Sequence, residues 1–379
     1  MSTANEKHPN SPTPQLLNIP TSQLPNRLRY AMVGGGKGSF IGPIHRMAIR
    51  MDDLADLVDG CYTHEDDWRA MLERAKGRAD FVAVCTPNDS HHAIAKAALE
   101  AGFDVMCEKP LSLTLAEAEE LKAIAERGGR KLGIPFTYSG FPMVKAARDL
   151  VASGELGRIC KVVLEYQQGS FRKIDLTKPL DKRNAWKMDP KKSGPSCVVA
   201  DIGVHGFHLI EYVTVLEVKS LLADLSSFAP GNRLDDDASI LMRLGDDGAK
   251  VSMVVSKVAT GEENGVRLRV YGDKASLFWN QESPNYLSVK YPFAPERIYK
   301  RKAPYMQDVS EQSVALSRVP AGHHEGFIEA FANIYREFCA AVRDRGEHDF
   351  PGAREGVRTM KMVEAALASN AAGNTWVKV

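Results

Sequence analysis

The sequence predicts an α/β protein, with an N-terminal domain on a parallel sheet and a C-terminal α+β domain on an open, mostly antiparallel sheet. Apolar strands alternate with helical patterns early in the chain, which implies parallel strands joined by helical crossovers. A glycine-rich turn follows the first of these strands. Later strand patterns follow one another without intervening helices, which favours antiparallel pairing. The 379 residues are enough for two domains, each with its own core.

Composition and charge limit the partners that the sequence predicts. With 44% apolar and 26% charged residues and a formal net charge of +1, the chain has no general attraction to nucleic acid or to a membrane surface. No apolar run reaches the roughly 18 residues of a bilayer-spanning helix. Six scattered cysteines without a C-x-x-C pair favour a reduced, cytoplasmic protein. Residues 1–26 are polar and rich in Pro, Ser, Thr and Asn, so we expect a flexible tail.

The predicted first domain, residues 27–150, begins with the strand, turn and helix of LRYAMVGGGKGSFIGPIHRMAI. Gly34, Gly36 and Gly38 alternate, and the spacing from Gly36 to Gly42 is one residue longer than in plain G-x-G-x-x-G. Glycines let the backbone turn sharply and approach a pyrophosphate, which the N–H groups at the helix start then bind. The turn is therefore a candidate dinucleotide site, and a glycine-rich turn without a ligand is the alternative.

The next elements place polar loops at the ends of two strands. We predict a strand at Phe81 to Cys85, a helix from about Ser90 to Glu100 closed by Gly102, a strand at Val105 to Cys107, and a helix capped by Thr114 and Glu117. The sequences TPN and EKP directly follow the two strands. Because ligands of such sheets bind at the carboxyl ends of the strands, Lys109 of EKP is expected at a ligand site. An exposed lysine paired with Glu108 is the ordinary alternative.

One expected element is missing after the second strand, Leu54 to Tyr62. The chain runs directly into a helix start, where a dinucleotide fold normally has a further helix and strand. The carboxylate that binds the ribose hydroxyls would also lie near this point, and Asp59 is a poor candidate for it. Either the segment near residue 62 is shortened, or part of the native chain is absent from this sequence. We favour absence, because both flanks look intact.

The predicted second domain, residues 151–379, contains strands and two late helices. GRICKVVLEYQQ, ASILMRL, AKVSMVVSKV and VRLRVYGDKASLFW have strand patterns, and one face of this sheet is expected to be free for a second subunit. HEGFIEAFANIYREFCAAV predicts an amphipathic helix with Phe327, Phe331, Ile334 and Phe338 in line. The C-terminal helix is expected to pack back on the first domain.

The segment DIGVHGFHLIEYV carries Asp201, His205 and His208 at i, i+4 and i+7, which share one face of a helix. A zinc site is one interpretation, although no further ligand cluster is evident. An acid–base pair, with the Asp201 carboxylate orienting the His205 imidazole, is the second. A histidine that simply packs within a helix layer is the third.

From Leu28 onward, apart from the segment near Tyr62, the sequence resembles the Gfo/Idh/MocA family of NAD(P)-dependent oxidoreductases. The segments GGGKGSFIGPIHR, CTPNDSHHAIAKAALEAGFDVMCEKPLSLTLAEAEEL, AWKMDP, DIGVH and GHHEGFIEAFANIYREF occur in the family's order. EKP combined with D-x-x-x-H is the specific part of the resemblance. The longer glycine loop, YSGFPMV and AWKMDP look most like the sugar and glycoside dehydrogenases of the levoglucosan type. SGPSCVVAD departs from the glycine-rich run usual before the aspartate.

The resemblance implies an N-terminal Rossmann domain, a C-terminal α+β domain, and homodimers or homotetramers packed through the open sheet. NAD is the implied cofactor, and NADP is not excluded because the loop that binds the adenosine ribose is the part missing here. The implied cofactor-binding residues are Gly34, Gly36, Gly38, Ser39, Phe40, Ile41, Thr86, Pro87, Asn88, His91, Glu108 and Lys109.

The resemblance also implies that Lys109, Asp201 and His205 meet around the substrate. We expect oxidation of a secondary hydroxyl of a sugar, glycoside or cyclic polyol to a ketone, or the reverse. His205 would take the hydroxyl proton, Asp201 would orient His205, and Lys109 would donate to the reacting oxygen. The substrate-side candidates are Tyr138, Trp186, Lys187, His205 and His323, with packing or surface roles as the alternative. A redox-assisted, NAD-dependent glycoside hydrolase and a non-catalytic NAD-binding regulator are the other functional hypotheses.

Overall fold

The first domain is built on a five-stranded parallel sheet. The computed structural model describes residues 27–62, 67–171, 175, 177–178 and 186–379. The strands are β1 (Leu28–Gly34), β2 (Ala55–Cys61), β3 (Phe81–Cys85), β4 (Asp104–Cys107) and β5 (Leu132–Gly133), in the order β2-β1-β3-β4-β5. The apolar runs of β3 and β4 are buried throughout, as expected for parallel strands covered on both faces.

Four helices join these strands: α1 (Ile41–Met51), α2 (Trp68–Ala75), α3 (Asn88–Glu100) and α4 (Leu115–Gly128). α3 begins at Asn88 rather than near Ser90, directly after Pro87, whose fixed φ suits a residue that precedes a helix. Gly102 follows α3 with a φ of +91°, which glycine adopts readily. Thr114 and Glu117 form the predicted capping box at the start of α4.

The second domain is built on a nine-stranded sheet in the order β13-β12-β11-β10-β6-β9-β8-β7-β14. β6 and β9 are parallel and the other neighbours are antiparallel, so the sheet is mostly antiparallel as predicted. The strands are β6 (Ile159–Gln167), β7 (Val218–Ser226), β8 (Asp237–Leu244), β9 (Ala249–Ser256), β10 (Gly265–Gly272), β11 (Ser276–Asn280), β12 (Tyr286–Tyr291), β13 (Ala294–Lys300) and β14 (Val377–Lys378).

Helices cover one face of this sheet. The helices of this part of the chain are α5 (Pro142–Ala152), α6 (Pro190–Ser193), α7 (Val204–Thr214), α8 (Met306–Val309), α9 (Glu311–Ala315), α10 (Phe327–Asp344) and α11 (Ala353–Ala371), of which α5, α7 and α11 contact the sheet. α7 lies close to the sheet at Gly206, where a Cβ would be 2.7 Å from the Leu164 side chain and 3.0 Å from Met253. On the opposite face, Glu165 pairs with Arg267 and Arg269.

The helix α10 packs against the first domain rather than against the large sheet. Phe331, Ile334 and Phe338 belong to one buried cluster with Tyr30 and Phe81 of the parallel sheet. In α11, the Glu364 carboxylate accepts the Leu115 backbone N–H at 2.9 Å, which ties this last helix to the start of α4. The late helices therefore connect the two domains.

Two predictions concern residues outside those that the structure describes. The expected flexible tail comprises residues 1–26, and the shortened segment after β2 falls at residues 63–66. Within the described ranges, no helix combines the length and the apolar character needed to cross a bilayer.

Candidate active site

The glycine turn between β1 and α1 has the backbone shape of a pyrophosphate site. Gly34, Gly35 and Gly38 have φ angles of +80°, +72° and +89°, a region that side chains with a Cβ disfavour. A Cβ on Gly34 would lie 2.5 Å from the Cys85 carbonyl oxygen, and one on Gly36 would lie 2.5 Å from that of Tyr62. The turn therefore fits the close approach of a dinucleotide phosphate to backbone N–H groups.

The other predicted residues of this turn lie at the start of α1. Ser39 precedes the helix, and its hydroxyl accepts the Gly42 N–H at 3.2 Å. Phe40 is 72% exposed, and Ile41 begins α1 and is half-buried. These positions are accessible to a ligand at the helix start.

Gly42 permits the contact between α1 and the turn, and replacing it by alanine tests the fit. A Cβ on Gly42 would lie 2.3 Å from Cα and O of Gly35, so Gly42→Ala forces the helix start away from the turn. We expect NADH affinity, measured by fluorescence titration, to fall by about 5- to 100-fold. Gly128→Ala is the control, because its Cβ would meet only the Arg130 side chain at 3.4 Å. Unchanged NADH binding by Gly42→Ala would remove the turn from the cofactor site.

The loop after β3 is held against neighbouring loops by buried polar contacts. Asn88 donates from its side chain to the Ser193 carbonyl oxygen at 3.1 Å. The two ring nitrogens of His91 lie 2.8 Å from the Pro110 carbonyl oxygen and 2.9 Å from that of Thr86. Burial lowers the pKa of His91, although both hydrogen bonds oppose this. His91 is fully buried, so it joins the β3 and β4 loops and offers no exposed surface to a ribose.

The loop after β4 is fixed by a hydrogen-bond chain that the sequence did not reveal. The Glu108 carboxylate accepts from Nε2 of His45 at 2.8 Å and from the Lys109 backbone N–H at 3.1 Å. Nδ1 of His45 lies 2.5 Å from the Tyr335 hydroxyl of α10. Burial would raise the pKa of Glu108, but its bond to His45 and the charge of Lys109 outweigh it, and the pKa is lowered. The chain fixes the backbone from which Lys109 projects, and the Lys109–Pro110 peptide is cis.

Three lysines surround the carboxylate of Asp201. Nζ of Lys109 donates to Oδ1 of Asp201 at 2.5 Å and to its backbone oxygen at 2.7 Å. Lys257 donates to Oδ2, and Nζ of Lys187 lies 3.5 Å from the same oxygen. Burial would raise the pKa of Asp201, but the three ammonium groups outweigh it and hold the pKa well below its usual range. Asp201 is therefore ionised at neutral pH.

Asp235 anchors the segment that carries Asp201. Its carboxylate accepts the Ser196 hydroxyl at 2.9 Å and the backbone N–H groups of Cys197 and Val199 at 2.8 and 2.9 Å. These contacts cap the π-helical turn Val199–Gly203, which continues into α7. In the segment SGPSCVVAD, which lacks the glycine-rich run usual before the aspartate, the Ser196 hydroxyl and the Asp235 carboxylate accept the backbone N–H groups at this helix start.

Aromatic rings hold His205. Its ring lies edge-on to Phe136 and Tyr138, with centroids 5.7 and 5.3 Å away, and tilted to Tyr166 at 6.5 Å. Burial, and then the charge of Lys109, lowers the pKa of His205 well below its ordinary value. Nδ1 is buried and has no hydrogen-bond partner among the residues that the structure describes. A neutral imidazole has a ring nitrogen that can accept a proton.

The expectation that Asp201 orients His205 needs correction. Lysines donate to both carboxylate oxygens of Asp201, and among the described residues no hydrogen bond joins Asp201 to His205. The imidazole is oriented by ring packing instead. In place of the predicted pair of Asp201 and His205, the structure has an ion pair of Asp201 and Lys109, with neutral His205 nearby.

The remaining substrate-side predictions have different outcomes. Trp186 lies in the turn Trp186–Met188 with Nζ of Lys187 5.8 Å from its ring, and both residues line a small pocket with Asp201. Tyr138 contacts His205, but it is buried and its hydroxyl donates to Tyr166 at 2.6 Å. Burial raises the pKa of Tyr138 to about 12, so its hydroxyl stays protonated.

His323 and His208 do not join the cluster. His323 is exposed, and its backbone carbonyl accepts from Arg301, which follows the edge strand β13. The π-helical turn Val199–Gly203 changes the angular spacing between Asp201 and the histidines of α7, so the three residues do not share one helical face. The ring of His208 stacks on that of Phe136, with centroids 4.7 Å apart, and lines a separate cleft. Burial lowers the pKa of His208 to about 3. Among the described residues, no group of three or more His, Cys, Asp or Glu side chains could hold a metal ion, so the zinc interpretation has no support.

Lys257, His45, Tyr335 and Asp235 were not identified from the sequence. Lys257 follows the apolar run of β9, so the signal that singled out Lys109, a lysine directly after an apolar strand, also applies to it. His45, Tyr335 and Asp235 have no comparable local signal, because their partners are distant in sequence.

Comparisons with known proteins identify the family of both domains. The family model described as the GFO/IDH/MocA C-terminal domain matches residues 144–278, and that of the oxidoreductase family with an NAD-binding Rossmann fold matches residues 58–136. The oxidoreductase YfiI of Bacillus subtilis is 33% identical over 93% of this chain and 96% of its own length. Levoglucosan dehydrogenase of Pseudarthrobacter phenanthrenivorans is 26% identical over 83% of each chain.

A solved structure of a homologous protein has the same fold as this chain. The inositol dehydrogenase homologue of Azotobacter vinelandii, complexed with NADH and myo-inositol, is 34% identical and superposes with a TM-score of 0.84. The match covers 93% of this chain and 98% of the other. The predicted fold class, nicotinamide cofactor and dehydrogenase class are confirmed. This chain belongs to the Gfo/Idh/MocA family of oxidoreductases with an NAD-binding Rossmann fold.

Proposed function

We propose that the protein oxidises a secondary hydroxyl of a sugar, glycoside or cyclic polyol to a ketone, or catalyses the reverse reaction. The observation that carries this proposal is the ion pair of Lys109 and Asp201 at the end of β4, within electrostatic reach of His205 and in the same parallel sheet as the strands that precede the glycine turn and the Thr86 loop. The relatives support the substrate class, since they include a levoglucosan dehydrogenase and an inositol dehydrogenase homologue with bound myo-inositol.

The cofactor-binding residues are proposed on the geometry of the sheet edge. Gly34, Gly36, Gly38, Ser39, Phe40 and Ile41 would hold the pyrophosphate at the start of α1. Thr86, Pro87, Asn88 and Lys109 would line the path of the nicotinamide half, while His91 and Glu108 hold these loops in place from beneath. NAD, when bound, supplies the hydride acceptor.

In the proposed mechanism the protein moves one proton and stabilises one developing charge. Neutral His205 accepts the proton of the substrate hydroxyl. Its lowered pKa keeps the imidazole unprotonated at neutral pH, so a ring nitrogen is free to take this proton. Lys109 has three N–H donors, of which two serve Asp201, and the third donates to the reacting oxygen. Asp201 holds Lys109 in this orientation. Trp186 and Lys187 would contact other parts of the substrate.

We further propose a cytoplasmic homodimer or homotetramer assembled through the open face of the nine-stranded sheet. Val163, Leu241 and Tyr271 lie on this face, and the latter two are 46% and 38% exposed. Cys85, Cys107, Cys197 and Cys339 are buried thiols and Cys160 is an exposed thiol, which suits a reducing compartment.

A panel of sugars, inositols and glycosides, each tested with NAD and NADP separately, tests the proposed function. We expect NADH to accumulate with at least one secondary alcohol, and mass spectrometry to find a ketone that has lost two hydrogens. Release of free sugar from a glycoside without net NADH would favour the redox-assisted hydrolase. NAD binding without turnover of any panel compound would contradict the dehydrogenase and favour the non-catalytic regulator.

A further inference from the structure

Lys257 is a buried lysine whose backbone N–H and carbonyl oxygen are both hydrogen-bonded. Its side chain is 2% exposed, its N–H donates to the Asp236 carbonyl oxygen at 2.8 Å, and its own carbonyl oxygen accepts from Phe171 at 2.8 Å. Nζ lies 4.7 Å from the centre of the Phe171 ring and donates to Oδ2 of Asp201. The position of this ammonium group is therefore set by the end of β9 and not by solvent.

The ammonium group of Lys257 stays charged because of Asp201. Burial would lower the pKa of Lys257, but the Asp201 carboxylate outweighs it and the pKa is raised. A buried charge is tolerated only with a partner of opposite sign, and here the partner is the carboxylate of the active-site cluster. Lys257 and Asp201 thus form an ion pair in which the lysine is buried and the carboxylate is partly exposed.

This pair determines how the Asp201 carboxylate is oriented. Lys109 binds Oδ1 and the backbone oxygen, while Lys257 binds Oδ2. A carboxylate held at one oxygen can rotate about its Cβ–Cγ bond, whereas one held at both oxygens cannot do so without breaking a charge-assisted hydrogen bond. The direction of the remaining N–H of Lys109 depends on this arrangement.

We propose that Lys257 is a positioning residue of the catalytic centre, which fixes Asp201 so that Lys109 keeps its remaining N–H directed at the reacting oxygen. The inference rests on the proposed function, because it takes Lys109 as the donor to that oxygen. Lys187 does not replace Lys257, since its Nζ is 3.5 Å from Oδ2 and its side chain is partly exposed.

The groups that face Asp201 determine how its protonation responds to the loss of Lys257. Removing one of its three cations raises the pH at which Asp201 protonates, and protonated Asp201 holds Lys109 less tightly. Among the described residues, the titratable and charged groups that interact with Asp201 are Lys109, Lys187, Lys257, Cys197, His205, Tyr138 and Tyr166, with Asp235 beyond Lys257.

Lys257→Met tests the proposal with a substrate that the wild type turns over in the panel. Asp201 keeps Lys109 and Lys187 in this variant, so no charge is left unpaired, and NADH binding is expected to be unchanged. We expect kcat to fall by about 10- to 100-fold, the range supported by one hydrogen bond between charged groups. The acid limb of the kcat profile, which reports Asp201 in the enzyme–substrate complex, should move to higher pH. Lys257→Arg should restore the acid limb, and Lys76→Met, at an exposed lysine whose partner is Glu73, should match wild type.

Two outcomes would overturn the inference. One is a Lys257→Met protein with wild-type turnover, and the other is reduced turnover with an unmoved acid limb, which would indicate a purely structural role. If Lys257→Met fails to bind NADH, Lys257→Gln, which keeps a donor without the charge, is judged by the same two measurements. Failure of the proposed function would appear in the wild type as absent turnover, whereas failure of this inference would appear only in the variants.

Discussion

Lys109→Ala will lower kcat by about 100-fold or more while NADH still binds. The variant loses the ammonium group that we place on the reacting oxygen, and Asp201 loses the donor to Oδ1 and to its backbone oxygen. The fold should survive, because Asp201 retains Lys257 and Lys187 as partners. Steady-state kinetics with the best panel substrate, together with fluorescence titration of NADH, separates the loss of chemistry from a loss of cofactor binding.

Lys76→Ala is the matched control for this experiment. Lys76 is an exposed lysine of the same domain, and its partner is Glu73 on the protein surface. We expect wild-type kinetics from it. Near-normal turnover by Lys109→Ala would remove Lys109 from the chemistry, and the ordinary interpretation of a lysine that pairs locally would then be preferred.

His205→Asn will lower kcat by about 10²- to 10⁴-fold, because asparagine cannot accept the hydroxyl proton. The pH dependence of the wild type is part of the same prediction. Because burial and Lys109 lower the pKa of His205, the imidazole stays neutral as the pH falls through its ordinary value of about 6.5. We therefore expect kcat/KM to remain level there and to decline only at lower pH.

The control for His205 is a histidine on the protein surface. His92 of α3 pairs with Glu120, and His92→Asn should leave the kinetics unchanged. An acid limb centred near 6.5 in the wild type would mean that His205 is solvated like a free imidazole. Turnover by His205→Asn close to that of wild type would show that another group takes the proton.

Local patterns were sufficient to predict most of the first domain. The alternation of apolar strands and helices, the glycines of the β1–α1 turn and the Thr114–Glu117 capping box depend on neighbouring residues, and the structure contains each of them. The same patterns could not show that β6 and β9 pair in parallel, nor that β7, β12 and β13 complete the sheet. Strand partners are selected by the packing of whole segments, and a strand pattern does not state which strand lies beside it.

The helix α10 shows the same limit. Its apolar stripe of Phe327, Phe331, Ile334 and Phe338 was predicted, but the stripe does not state what covers it. In the structure it packs on Tyr30 and Phe81 of the first domain and brings Tyr335 to His45. An amphipathic pattern specifies that a face is buried, while its partner is chosen by shape and connectivity.

For the candidate site, the sequence by itself determined which side chains follow the strands and begin the helix, namely Lys109, Asp201 and His205. It also determined the glycines of the β1–α1 turn, where a Cβ would not fit. Only the tertiary structure decided how they interact. In the structure the Asp201 carboxylate interacts with three lysines rather than with His205. Aromatic rings surround His205, and His323 lies outside the cluster. The physical reason is that charge pairing and burial depend on distances between segments remote in sequence, such as Lys257 Nζ and Asp201 Oδ2, which exist only once both sheets have formed.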